Sequence, residues 1–158
     1  MSGTGIIISQ VINVIRERED ENISRALASP GMREPIRVIT HSYEGVELEG
    51  NDLIAYSQYQ RFPLGNLSTG AQEQVLFALR IGIATHILGD QKMFLILDDA
   101  FQHSDWERRE WLVDEIADLA NIGWQIIYFS MDDHIRKLFE ERIKPKFTDR
   151  YQAFDLNP

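Results

Sequence analysis

At 158 residues, 44% apolar and 26% charged, the chain is long enough to bury its own core and has an ordinary globular composition. Its net charge of −9, with no basic stripe, argues against direct binding to nucleic-acid phosphates by this stretch. The absence of cysteine excludes disulfides and thiolate metal sites, and no apolar run approaches the roughly 20 residues of a membrane span. No basic-then-apolar leader opens the chain, so a cytoplasmic location is expected.

Residues 6–28 read as a helix with an apolar stripe of Ile8, Val11, Ile12, Ile15, Ile23 and Leu27, interrupted by the charged run Arg16 to Glu21. Such a helix either packs on the domain or roots a coiled-coil arm, and the first is the simpler expectation. Ser29-Pro30-Gly31 is read as its end. Short strands are expected at 36–40, 46–48 and 53–56, with turns at Glu44-Gly45 and Gly50-Asn51-Asp52, then a loop at 62–66. From Thr69 to Leu88 the chain is apolar almost all round, as a buried helix would be, and Gly89-Asp90 stops it.

Met93 to Leu97 is a continuous apolar run entering Asp98-Asp99, the pattern of a buried parallel strand. Ser104 or Asp105 can cap a helix from Trp106 to Ala120, and Ser104 with Glu107 fits a capping box. A second buried strand is expected at 124–129, a helix from Asp132-Asp133 to about Arg142, and a closing edge strand at 151–156. Trp111, Trp124 and Phe129 are read as core. The alternation of helices and strands implies an α/β fold with helices flanking a largely parallel sheet. The whole is read as one domain, an N-terminal helix at 6–28 followed by a lobe at 36–158.

Two segments carry chemistry. Leu67-Ser68-Thr69-Gly70-Ala71-Gln72-Glu73-Gln74 lies where loop turns into helix. A hydroxyl, unpaired backbone N–H groups and the positive end of a helix dipole there suit a phosphate oxygen, and glycine lets a ligand approach closely. Any Ser-capped helix offers the same groups. The second segment, Phe94 to Asp99, delivers two carboxylates to the end of a strand, where open α/β sheets bind ligands. One acid can serve magnesium and its neighbour a water. A strand ending in a polar turn has the same look.

The segments occur in a fixed order. The acid pair follows the first about twenty residues later; then come Ser104-Asp105 and a strand ending Phe129-Ser130. That series resembles the C-terminal lobe of ABC-type ATPases. Residues 67–74 resemble the LSxGxxxQ signature, 94–99 Walker B, and Ser104-Asp105 the D-loop. The Gln-Glu-Gln tail, Ala78-Leu79-Arg80-Ile81 and the Asp-Asp-Ala-Phe run are most similar to the SMC, RecF, RecN and double-strand-break-repair branch.

The resemblance implies ATP and Mg2+ as cofactors of a complete two-lobe dimer. It also implies a separate N-terminal Walker A lobe, a second head in a homodimer, and DNA reached only through the full assembly, with no membrane role. Ser68, Thr69, Gly70 and Gln72 would face nucleotide held by the opposite subunit, and Asp105 would couple the two sites. Asp98 would serve magnesium and Asp99 would be the catalytic carboxylate.

The chain departs from that pattern in three places. Asp99 stands where Glu is usual, and Met131 stands where a switch histidine is usual, a thioether being unable to donate a proton. His134, three residues on, is read as a surface residue. No GxxxxGK[ST] phosphate loop occurs in the chain. The same residues also admit an ABC-like interaction module whose active site has decayed.

Overall fold

The computed structural model describes residues 3–89 and 91–156; Asp90 and the side chains of Ile8 and Ile12 lie outside the described residues. Among the described residues five α-helices and five short strands follow in the order α1 (Gly3–Leu27), α2 (Pro30–Thr40), β1 (Gly45–Glu49), β2 (Asp52–Tyr56), β3 (Arg61–Pro63), α3 (Thr69–Leu88), β4 (Phe94–Asp98), α4 (Trp106–Asn121), β5 (Gln125–Phe129) and α5 (Asp133–Leu138). The architecture is the α/β class expected. The described residues divide into two compact units, one of residues 3–68 and 75–89, the other of residues 69–74 and 91–156.

In the first unit, α1 carries Val11, Val14, Ile15 and Ile23 exposed and buries Leu27 at its end. The expectation that its stripe packs on the domain therefore fails for Val11, Ile15 and Ile23. α2 replaces the strand expected at 36–40. Pro30 stands in its first turn, where a missing N–H costs nothing, and it starts this helix as well as ending the previous one. Met32, Ile36 and Ile39, at spacings of four and three, are buried on one helical face. His41, left-handed at φ 53°, ends the helix.

β1 and β2 form an antiparallel hairpin, Val46 opposite Ala55, closed through Gly50 at φ 59°. β3 adds antiparallel to β2 where a loop was expected. α3 has the predicted bounds but is not buried all round, because Leu76, Ile83 and Ile87 are exposed. Its Gly82 lies so close to α2 that a Cβ there would meet Met32 Sδ at 2.9 Å.

In the second unit, parallel pairing is confined to β4 and β5, from Phe94 opposite Gln125 to Asp98 opposite Phe129. Leu97 is buried, whereas Phe94 is 61% and Ile96 54% exposed, and Ile127 and Phe129 are open on the same strands. The strands are where the sequence implied, but one sheet face lies bare and Phe129 is not core; Trp124 is buried as expected. Beneath α4, Val113 and Ala117 pack with Ile135, Leu138, Ile143 and Phe147, joined by Tyr128, Phe139 and Tyr151. Residues 151–156 form no strand, correcting the expected closing edge. Tyr151 contributes to the α4 cluster instead. Among the described residues no helix is long and apolar enough to cross a membrane.

Candidate functional site

The second unit gathers most of the sequence-predicted site residues. Thr69, Gly70, Gln72 and Glu73 form the first turn of α3, and the unit also holds Asp98, Asp99 and Asp105. Ser68, exposed and one residue ahead of α3, belongs to the first unit.

Gly70 has a role that the sequence did not reveal. A Cβ there would meet the His103 backbone carbonyl at 2.6 Å and Ser104 Cα at 3.2 Å. The missing side chain lets the 99–105 loop lie directly on the start of α3. Glu73 reinforces the contact: one carboxylate oxygen lies 2.7 Å from His103 Nδ1, and the other accepts from the buried Ser104 hydroxyl at 3.4 Å. Gly70→Ala should destabilise the protein by about 1–3 kcal/mol, because the obstructing atom is backbone and the loop must shift. Hydrogen exchange should quicken across residues 101–105; parental stability and exchange would contradict this packing.

The acids sit where β4 ends. Asp98 is the last paired strand residue and is exposed. Asp99 has left the strand with φ 45°, its N–H donating to the Phe129 carbonyl at 2.9 Å. Asp99 lies outside the strand, so its carboxylate is set by the left-handed turn and not by strand alternation. Asp is among the few side chains that enter this conformation readily, which gives a physical reason for Asp rather than Glu here. Asp99 Oδ1 accepts the Met131 backbone N–H at 3.3 Å. Met131 itself is 95% exposed, so its contribution is that N–H and not its thioether.

Phe101, at φ 72°, makes the 99–101 turn left-handed twice. Such backbone persists only when its surroundings fix it. The Tyr128 hydroxyl donates to the Ala100 carbonyl and supplies one restraint. Burial first, and then the nearby Asp99 charge, raise the Tyr128 phenol above its usual range, so it keeps the proton that makes this bond.

Asp105, not Ser104, caps α4, accepting Arg108 N–H at 2.9 Å, so the capping box is not formed through Ser104. Asp132 caps α5, accepting His134 N–H at 2.9 Å. Burial alone would raise Asp132, but that N–H and the Arg109 guanidinium at 2.7 Å hold its carboxyl below its ordinary value. His134 is not the surface residue expected. Its ring stacks on Trp106 with centroids 3.2 Å apart, and its Nε2 is buried without a hydrogen-bond partner.

Among the described residues no three His, Asp or Glu side chains converge as a metal site. A lone exposed carboxylate such as Asp98 suits a magnesium ion held mainly by water and substrate phosphate, not one enclosed by protein. The sequence signalled the acids and the α3 start. The Arg109–Asp132 pair, the Tyr128 hydroxyl and the Glu73 contacts to His103 and Ser104 carried no local signal, since each joins residues 23–31 apart.

No family model matches the chain. It is 28% identical over 138 residues to the uncharacterized protein YhaN of Bacillus subtilis, covering 84% of this chain and 14% of that protein. It is 29% identical over 118 residues to a DNA double-strand break repair Rad50 ATPase of Sulfurisphaera tokodaii, covering 72% of this chain and 13% of the relative. The chain thus spans about one seventh of the length of these relatives. Among solved structures it is similar to the SMC head domain from Thermotoga maritima, with a TM-score of 0.52 at 16% identity over 73% of this chain and 40% of that one. A chain from a study of ATP-driven dimerization and DNA stimulated activation of SMC ATPases gives 0.57 at 17% identity, over 78% and 76%. The fold is the one seen in SMC head domains.

Proposed function

We propose that the chain is the C-terminal half-site of an ATP-driven head, supplying a signature segment and a Walker B strand to a composite ATPase. The observation that carries this reading is the junction of three segments in one unit. The start of α3 seats the 99–105 loop at Gly70, and that loop runs directly from the acids at the end of β4. A Ser-capped helix alone or a strand with a polar end alone would not require that contact.

In this reading the N–H groups at the start of α3 and the Ser68 hydroxyl face the γ-phosphate of nucleotide held by a second head. Asp98 serves magnesium through water, and the ion offsets charge on the phosphates. Asp99 orients and polarises the attacking water. Asp105, at the head of α4, faces the second head. The phosphate loop comes from a Walker A lobe, and the bare face of β4 and β5 is the surface such a lobe would cover. The exposed stripe of α1 supports the coiled-coil arm over packing on the lobe. DNA acts on the assembly, and this acidic chain does not bind it directly.

Titration calorimetry tests the division of labour. The chain alone should take up Mg-ATP negligibly, because no GxxxxGK[ST] loop is present to wrap the β- and γ-phosphates. The same chain joined to its Walker A lobe should bind. Micromolar affinity in the chain alone would overturn the half-site reading.

A further inference from the structure

In the proposed half-site Asp99 orients water and Asp105 faces the second head, yet both lie on a loop with two left-handed residues and no regular structure. Arg109, on the first turns of α4, holds that loop from outside. Its Nε donates to the Ser104 carbonyl at 3.0 Å and its Nη2 to the Gln102 carbonyl at 2.8 Å. Its Nη1 donates to Asp132 Oδ2 at 2.7 Å, and the side chain is only 14% exposed. The neighbour of Asp132, Met131, gives its N–H to Asp99. One planar fork therefore ties Gln102 and Ser104, just ahead of Asp105, to the segment that holds the Asp99 carboxylate.

We propose that Arg109 is a positioning residue that fastens the Asp105 loop to the 130–132 segment, so that engagement of a second head at Asp105 sets the position of Asp99. This rests on the half-site reading above. The geometry needs arginine: three donors in one plane reach two carbonyls and a carboxylate, whereas a lysine ammonium is a point charge on a flexible stem. The charge is matched by Asp132, and the fork leaves Asp99 itself untouched, free to take up water. His134, stacked on Trp106, places its Nδ1 3.5 Å from Arg109 Nη1.

The test is a double-mutant cycle on Mg-ATP turnover in the protein bearing both lobes. Arg109→Lys should lower kcat about tenfold with KM for ATP within about twofold, the split expected when positioning and not binding is lost. In the Asp99→Asn background the same change should cost no further rate, because its route to chemistry is already cut. Asp132→Asn is the second variant, for use if Arg109→Lys folds poorly: asparagine still caps α5 but gives up the ion pair. Parental turnover in both single variants, with Asp99→Asn slow, would overturn the proposal and leave the half-site reading intact. Losses that multiply in the double variant would also overturn it, since Arg109 would then act apart from Asp99. Parental turnover in Asp99→Asn would instead remove the catalytic assignment, and this proposal with it.

Discussion

Asp99→Asn should lower ATP turnover of the two-lobe protein by about two orders of magnitude while leaving nucleotide-dependent dimers intact, the scale of a lost general base. Asparagine matches aspartate in size and enters the left-handed region as readily, so the turn at φ 45° should survive. Its side-chain oxygen can still accept the Met131 N–H, which keeps the loop after β5 in place. What disappears is the charge that polarises water. Because nucleotide binding and head association do not draw on that charge, ATP-bound dimers should accumulate. Parental turnover would remove Asp99 from the chemistry and favour the decayed interaction module. Asp99→Glu carries the converse expectation. A longer side chain at a left-handed residue strains the turn, so glutamate should not improve this site.

Much of this was legible in the residues, for identifiable reasons. α3 and the β4–α4–β5 series have long uniform patterns with clear stops, and the acids at the end of β4 follow from four apolar residues running into two carboxylates. The run Ile36 to Thr40 has the look of a strand because β-branched residues suit strands, whereas its helical partner Met32 lies on the far side of Pro35. Phe94, Ile96, Ile127 and Phe129 misled differently. Their apolar character implies cover on both sheet faces, and the sequence does not say whether this chain supplies it. Within the site, caps could be read because they act over three residues; Asp105 is one. The Arg109 fork, the Tyr128 hydroxyl and the Glu73 carboxylate reach across loops, and nothing local marks an arginine on an amphipathic helix as their centre.

Ser68→Arg should abolish ATP-dependent association of the heads while each subunit continues to bind nucleotide. Ser68 is exposed immediately before α3, so a guanidinium there has solvent to extend into in the free subunit. In the engaged dimer the same position would face the γ-phosphate held by the partner, where a bulky side chain fills the space that the phosphate and its magnesium need. Nucleotide held within one subunit by the Walker A lobe is out of its reach. The composite site is the central claim, and light scattering of the two-lobe protein with a slowly hydrolysed ATP analogue tests it most directly. The parent should double in mass on adding nucleotide and magnesium, and Ser68→Arg should remain monomeric with nucleotide bound. Equal association of the two proteins would contradict the half-site and return residues 67–74 to the role of an ordinary helix start.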